Sequence, residues 1–213
     1  MSLSNFYIIV PQGTRNYHKN PSLESETLGT TAIASETSIR EFLIVGTGML
    51  TIVDSEQFRG VQSLECRPGT GTSSGLLWYE IETDDTTSYT AHIMFKGMAG
   101  LGYVFYWTDG SGMLVGTATT FSATGDWQHI ENTFTEVTGT TRRVYLVKNG
   151  SANTTPFWTD CWQIEALPYS TTYCDGDEPG CKWLAGSPVG HHRSWSERSS
   201  DWRKGGRKVY LTQ

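Results

Sequence analysis

Apolar and polar residues alternate along most of this chain with a period of two, in short runs separated by glycine-containing turns. Such alternation marks half-buried β-strands, whose successive side chains point to opposite faces. It predicts strands over Ser38–Val45, Met49–Val53, Val61–Arg67, Leu76–Glu82, Ser88–Lys96, Gly102–Thr108, Met113–Ala118, Gln128–Thr135, Arg142–Val147 and Thr155–Glu165. Trp107-Thr108-Asp109-Gly110-Ser111-Gly112 and Asn149-Gly150 carry hairpin chemistry, because Asp-Gly and Asn-Gly tolerate the positive φ of tight turns. Long runs of helix formers are missing, and no internal repeat is visible. Strands in this number without helices between them imply two stacked antiparallel sheets. Periodicity alone does not say how those sheets are connected.

Composition agrees with the pattern. Aromatic residues reach 12% and charged residues only 18% of the 213, with Gly, Thr and Ser abundant, a mixture suited to pleated surfaces and turns. A chain of this length can bury a core without disulfides or metals. The net charge of −6 is unevenly spread: residues 191–213 carry +4 and residues 1–190 carry −10. An acidic body with a basic arm points to docking on another charged surface. It argues against nucleic acid, whose phosphates the body would repel. The opening Met-Ser-Leu-Ser-Asn-Phe-Tyr-Ile-Ile-Val lacks a basic n-region and breaks at Pro11, so no signal peptide is expected. No apolar run approaches bilayer-spanning length, so no membrane partner is expected either. The organisation read from the chain is an N-terminal arm over 1–19, a β-sandwich over 20–168, an acidic Cys-flanked loop over 169–190 and a basic C-terminal arm over 191–213.

Several landmarks appear in a particular order. Asn20-Pro21-Ser22-Leu23-Glu24 is followed by Gly60-Val61-Gln62-Ser63-Leu64-Glu65-Cys66, then by Ser88–Lys96, Gly125-Asp126-Trp127-Gln128-His129-Ile130 and Phe157–Glu165. This series resembles the jelly-roll carbohydrate-binding modules of the family 4/9 type. Tyr173–Trp183, with Gly186-Ser187-Pro188 and His191 after it, resembles the ending that accompanies this jelly roll in minor tail proteins of tailed bacteriophages. Gly205–Leu211 is similar to the strand that follows there. Cys174 departs from the pattern, as does Val189-Gly190 before His191.

The resemblance implies an all-β antiparallel sandwich, a jelly roll with extended N- and C-terminal arms. It implies a virion structural protein of the tail, made in the host cytoplasm. Its partners would be other virion proteins and further copies of itself within the particle, with a host surface glycan as a further ligand. Two other readings stay open: a capsid decoration protein, and a carbohydrate-binding module of a polysaccharide-degrading system.

Catalysis is not expected. The five histidines sit in no nucleophile-elbow or zinc-protease pattern, and Glu80/Glu82 and Asp84/Asp85 read as a solvated strand edge and a turn. Sugar binding is a matter of exposed aromatics, whose flat faces stack on pyranose C–H groups. Within Tyr103–Trp107, alternation places Tyr103, Phe105 and Trp107 on one face and Val104 and Tyr106 on the other, and one of these faces must supply core. The sharper expectation sets His92, Tyr106 and Trp107 on a concave sheet face in contact with glycan; protein contact is the other use of that face. The resemblance places Trp127 in the core. It also implies a structural calcium between Glu24 and Asp160, with backbone carbonyls completing its shell; no other cofactor is expected. Cys174 and Cys181 flank the acidic loop closely enough for a disulfide, although a reducing cytoplasm disfavours early formation. Zinc held by Cys174, Cys181, His191 and His192 would need an unusual spacing. Arg193, Arg198, Arg203 and Arg207 in the basic arm could fork onto carboxylates of a neighbouring subunit.

Overall fold

Fourteen strands and no helix form among the residues described by the computed structural model of the protein, which are 12–18, 21–24, 26–33, 39, 42–45, 47–70, 76–84, 86–150, 154–175, 177, 181–184 and 187–192. In chain order they are β1 (Gln12–Arg15), β2 (Thr31–Ile33), β3 (Leu43–Val45), β4 (Gly48–Val53), β5 (Ser63–Pro68), β6 (Leu76–Glu82) and β7 (Ser88–Gly97). Then follow β8 (Gly102–Asp109), β9 (Leu114–Ser122), β10 (Gln128–Thr135), β11 (Thr141–Lys148), β12 (Phe157–Glu165), β13 (Cys181–Leu184) and β14 (Ser187–His192). The back sheet has six strands in the order β10-β7-β12-β5-β4-β2, and the front sheet has five in the order β3-β6-β11-β8-β9. A side sheet is formed by β1-β14-β13. Every pairing is antiparallel. The fold is an all-β sandwich, as alternation and the resemblance both imply.

Alternation sorts the residues of β8 and β11 into two faces, and packing decides which of them is interior. On β8, Tyr103, Phe105 and Trp107 are buried while Val104 and Tyr106 are half-buried; on β11, Val144 and Leu146 turn inward. These meet Ile93, Phe95, Phe134 and Trp162 of the back sheet in one continuous core. Phe95 holds aromatic contacts with Tyr103, Phe121 and Phe157 at centroid distances of 4.7, 5.0 and 5.7 Å. The β8–β9 hairpin differs from the tight Asp-Gly turn in one respect. Asp109 N–H bonds to Met113 O and the positive φ falls on Gly112, at 89°, with the Asp109 carboxylate accepting from Ser111 and Met113 N–H.

Two segments without strand periodicity belong to the body. Residues 16–18, expected in an arm, lie against β12. Asn16 Nδ2 donates to Trp162 O at 2.9 Å and to Cys174 O at 3.2 Å, and its Oδ1 accepts from the N–H groups of Ile164 and His18. His18 is buried, with its ring stacked on Tyr79 at 4.2 Å. The second is 166–175, which crosses the outer face of the back sheet. It explains why β7 and β12 are buried on both faces although an antiparallel sheet commonly leaves one face to water. The side sheet joins β1, from the expected N-terminal arm, to β14 through the register Gln12↔His192 to Arg15↔Val189.

Candidate functional site

Backbone register aligns a row of residues across four strands of the front sheet. Tyr106 on β8 is the register partner of Tyr145 on β11, Tyr145 is that of Trp78 on β6, and Trp78 is that of Leu43 on β3. The Tyr106 and Tyr145 rings are half-buried and stack at 5.5 Å with 15° between their planes. Burial, then the neighbouring Tyr145, pushes the Tyr106 phenol above its ordinary value, so it stays a hydrogen-bond donor at physiological pH. Two residues along, Arg143 Nε meets Glu80 Oε2 at 2.7 Å and its Nη1 donates to Gly110 O at 2.8 Å. Thr141 Oγ1 donates to Glu82 at 2.7 Å. On the far side of Tyr106, β9 is irregular: its register with β8 shifts between Phe105 and Trp107, and Gly116 has a φ of 70°. A Cβ there would approach Phe134 Cβ to 3.1 Å, so backbone conformation and space both favour glycine. From Gly116 to Thr120 no side chain is larger than threonine. The row is thus flanked by low relief on one side and by a charged pair along its length. Such a surface offers ring faces to C–H groups and donors and acceptors to hydroxyls.

The three residues expected to share a glycan face do not share one. Tyr106 is on this row. Trp107, the next residue, points into the core, fully buried, with Nε1 donating to Asn132 O at 3.1 Å. Period two forces adjacent residues apart. His92 is on β7 of the back sheet, 1% exposed, under 166–175. Trp127, expected in the core, is half-buried beside a small second cluster of Met94, Cys161 and Tyr173, with Phe58 at 6.0 Å. Tyr145 and Arg143 escaped the sequence reading. Alternation in Arg142–Val147 turns both outward, but only the register with β8 and β6 brings them beside Tyr106 and Glu80.

Glu24 and Asp160 are both engaged by the turn over 58–62. Asp160, fully buried, accepts from Phe58 N–H and Arg59 N–H at 2.9 Å each and from Cys161 N–H at 2.6 Å. Glu24 Oε1 accepts from Val61 N–H at 2.7 Å and Gln62 N–H at 3.2 Å. Among the described residues no group of three or more His, Cys, Asp or Glu side chains is arranged to hold a metal ion. The two carboxylates act here as anchors for a loop. Burial outweighs the three N–H donors and raises Asp160 from 3.8 to about 6. A carboxyl whose folded value is raised contributes stability below its unfolded value and loses it as pH rises through the folded one. Asp160→Asn, which cannot ionise, is therefore expected to remove a fall in stability between about 3.8 and 6. Urea unfolding of both proteins at either end of that window checks this; parallel pH profiles contradict it.

Cys174 is buried, with its N–H donating to Gln163 Oε1 at 2.7 Å, while Cys181 is half-buried at the start of β13; no bridge joins them in this structure. Asp175 is buried beside them, and its Oδ1 accepts from Asp177 N–H at 3.0 Å, an ordinary acidic turn. His191 and His192 close β14 against β1. The arginines of the basic arm, Arg193, Arg198, Arg203 and Arg207, lie outside the described residues.

No family model and no curated protein matches this sequence. Solved structures do. An arabinose-bound α-L-arabinofuranosidase, MgGH51, aligns with a TM-score of 0.57 and 12% identity over 71% of this chain and 26% of that one. This chain thus corresponds to about a quarter of the enzyme's length. The CBM22-1 xylan-binding domain of Paenibacillus barcinonensis Xyn10C aligns at TM-score 0.47 and 16% identity, covering 67% of this chain and 99% of that domain. TmCBM61, solved with β-1,4-galactotriose, aligns at 0.49 and 17%, covering 70% and 97%. At such identities the likeness is one of fold: this chain shares its antiparallel β-sandwich with part of a glycoside hydrolase structure and is similar to solved carbohydrate-binding modules.

Proposed function

We propose that this protein is a non-catalytic glycan-binding sandwich whose ligand lies across the front sheet, over Tyr106 and Tyr145. The observation that carries this reading is the pair of stacked rings, Tyr106 on Tyr145, beside the Arg143–Glu80 pair. Among the described residues of this face Glu80 and Glu82 outnumber Arg143, which favours a neutral sugar over an anionic one. The same carboxylates are engaged by Arg143 and Thr141, which does not suit the acid and nucleophile or base pair of a glycosidase. Xylo-oligosaccharides and β-1,4-galactotriose, taken from the names of the similar modules, are the first ligands to try. Calorimetric titration is expected to give dissociation constants on the order of millimolar or tighter, and Tyr106→Ala or Tyr145→Ala to weaken binding by about tenfold, ~1.4 kcal/mol. Silence across a panel of neutral glycans at millimolar sugar refutes the reading, as does unchanged affinity in both variants.

A second reading concerns the setting. The run Tyr173–Trp183 resembles the ending found in phage minor tail proteins, and this favours a virion component whose partners are other particle proteins and its own copies. Capsid decoration is the variant of this reading with many copies per particle. Quantitative mass spectrometry of purified particles separates them: few copies for a tail part, many for decoration, none if the protein serves a polysaccharide-degrading system.

A further inference from the structure

Residues 166–175 form a strap over the outer face of the back sheet, and two carboxylates fasten it. Glu165 accepts from Thr171 twice, from N–H at Oε2 (2.9 Å) and from the hydroxyl at Oε1. Glu131 Oε2 accepts from the Ser170 hydroxyl. Thr90 Oγ1 donates to Leu167 O at 2.8 Å, and Gln163 bonds to Thr171, Thr172 and Cys174. A histidine lies beside each carboxylate. His92 Nε2 is 3.8 Å from Glu165 Oε2, the oxygen that receives the Thr171 N–H. His129 is two residues from Glu131 on β10, on the same face, and interacts with its charge. The two imidazole rings lie with centroids 5.0 Å apart and planes tilted by 53°. By register His92 is paired with Glu131 on β10 and Gln163 on β12, and His129 with Met94 on β7, while Glu165 and Glu131 hold the strap through Thr171 and Ser170.

We propose that His92 and His129 make the 166–175 strap an acid-released clasp. Protonation sets two cations 5.0 Å apart beneath the strap and draws the Glu165 and Glu131 carboxylates away from Thr171 and Ser170. Burial, reinforced at His92 by the nearby His129, holds both imidazoles below 6.5, with Glu131 partly opposing this at His129. The sign follows from linkage: groups that stay neutral when covered stabilise the closed strap above their solvent-exposed value. That stability is lost as pH falls from about 6.5, by up to tenfold per pH unit for each histidine. The strap ends in Tyr173, Cys174 and Asp175. Opening it would therefore also release the Asn16–Cys174 bond and loosen the side sheet from the sandwich. This device does not depend on the glycan-binding reading.

Hydrogen exchange read by mass spectrometry on the full chain, at about pH 7.5 and pH 5.0 and corrected for intrinsic rates, tests it. Peptides over 166–175 are expected to lose protection at least tenfold at the lower pH while those of β8 and β11 keep theirs. His129→Gln, at a half-buried position, should shift the loss to lower pH, and His92→Gln combined with it should abolish the loss. Equal protection at both pH values overturns the proposal. So does a loss spread evenly over β8 and β11, or an unaltered loss in His129→Gln. Should the double variant fail to fold, the wild type and His129→Gln still decide.

Discussion

Replacing Trp107 with alanine is expected to destabilise the sandwich by about 3–5 kcal/mol, the cost of emptying a large site in a packed interior. Its indole is fully buried, lies 4.7 Å from the Phe134 ring and sends its N–H across to Asn132 O on the opposite sheet. Trp107→Phe keeps most of the volume but leaves the Asn132 carbonyl without that donor, a loss of about 1–3 kcal/mol. Equilibrium unfolding in urea measures both; a change below about 1 kcal/mol for the alanine variant would contradict the core placement. The pair Trp107→Phe and Tyr106→Ala also separates fold from ligand contact. The first should lower stability and leave glycan affinity intact, and the second should do the reverse. Adjacent residues on one strand then have opposite consequences because they face opposite ways.

Glu136→Gln is expected to cost about 3 kcal/mol near neutral pH, the lower end of the penalty for breaking a buried ion pair. Arg142 grips Glu136 with two parallel bonds of 2.6 Å, from Nε to Oε2 and from Nη2 to Oε1. The hydroxyl of Thr83 and the N–H groups of Val137 and Thr138 complete the carboxylate's partners. Together they tie the β10–β11 connection to the end of β6. With the Arg142 guanidinium as the chief cause, the carboxyl is held down from 4.5 to about 2. A depressed carboxyl contributes its stability above the unfolded value and loses it as pH falls through the folded one. The gap between wild type and Glu136→Gln should therefore be full above about 4.5 and close as pH approaches about 2. Denaturant unfolding across that range measures it, and a gap independent of pH would show that the pair is not the cause. Arg142→Lys should not preserve the contact, since an ammonium cannot supply two parallel donors.

The extent to which each feature was legible in the sequence follows from its range along the chain. Leu76–Glu82 and Gln128–Thr135 are strands at the expected residues, since alternation and flanking turns are local properties. β1 is short, lacks alternation, and exists because β14, from the other end of the chain, supplies its partner, while β13 and β14 pair locally with each other. The same holds for Asn16, whose bonds all lie within the body yet whose neighbours show no strand pattern. Glu24 and Asp160 stood out in the sequence, but their common use in holding the 58–62 turn depends on three segments meeting.

Local sequence alone set the class of fold and which residues of each strand share a face, because side-chain direction repeats every two residues whatever the strand pairs with. It also separated Tyr106 from Trp107, although the glycan expectation placed them together. What each face meets depends on long-range pairing and packing. The strand order and register align Tyr106 with Tyr145, and the strap seals His92 away from solvent. Register is a relation between segments far apart in the chain, set by turns and by core packing. No residue carries it alone.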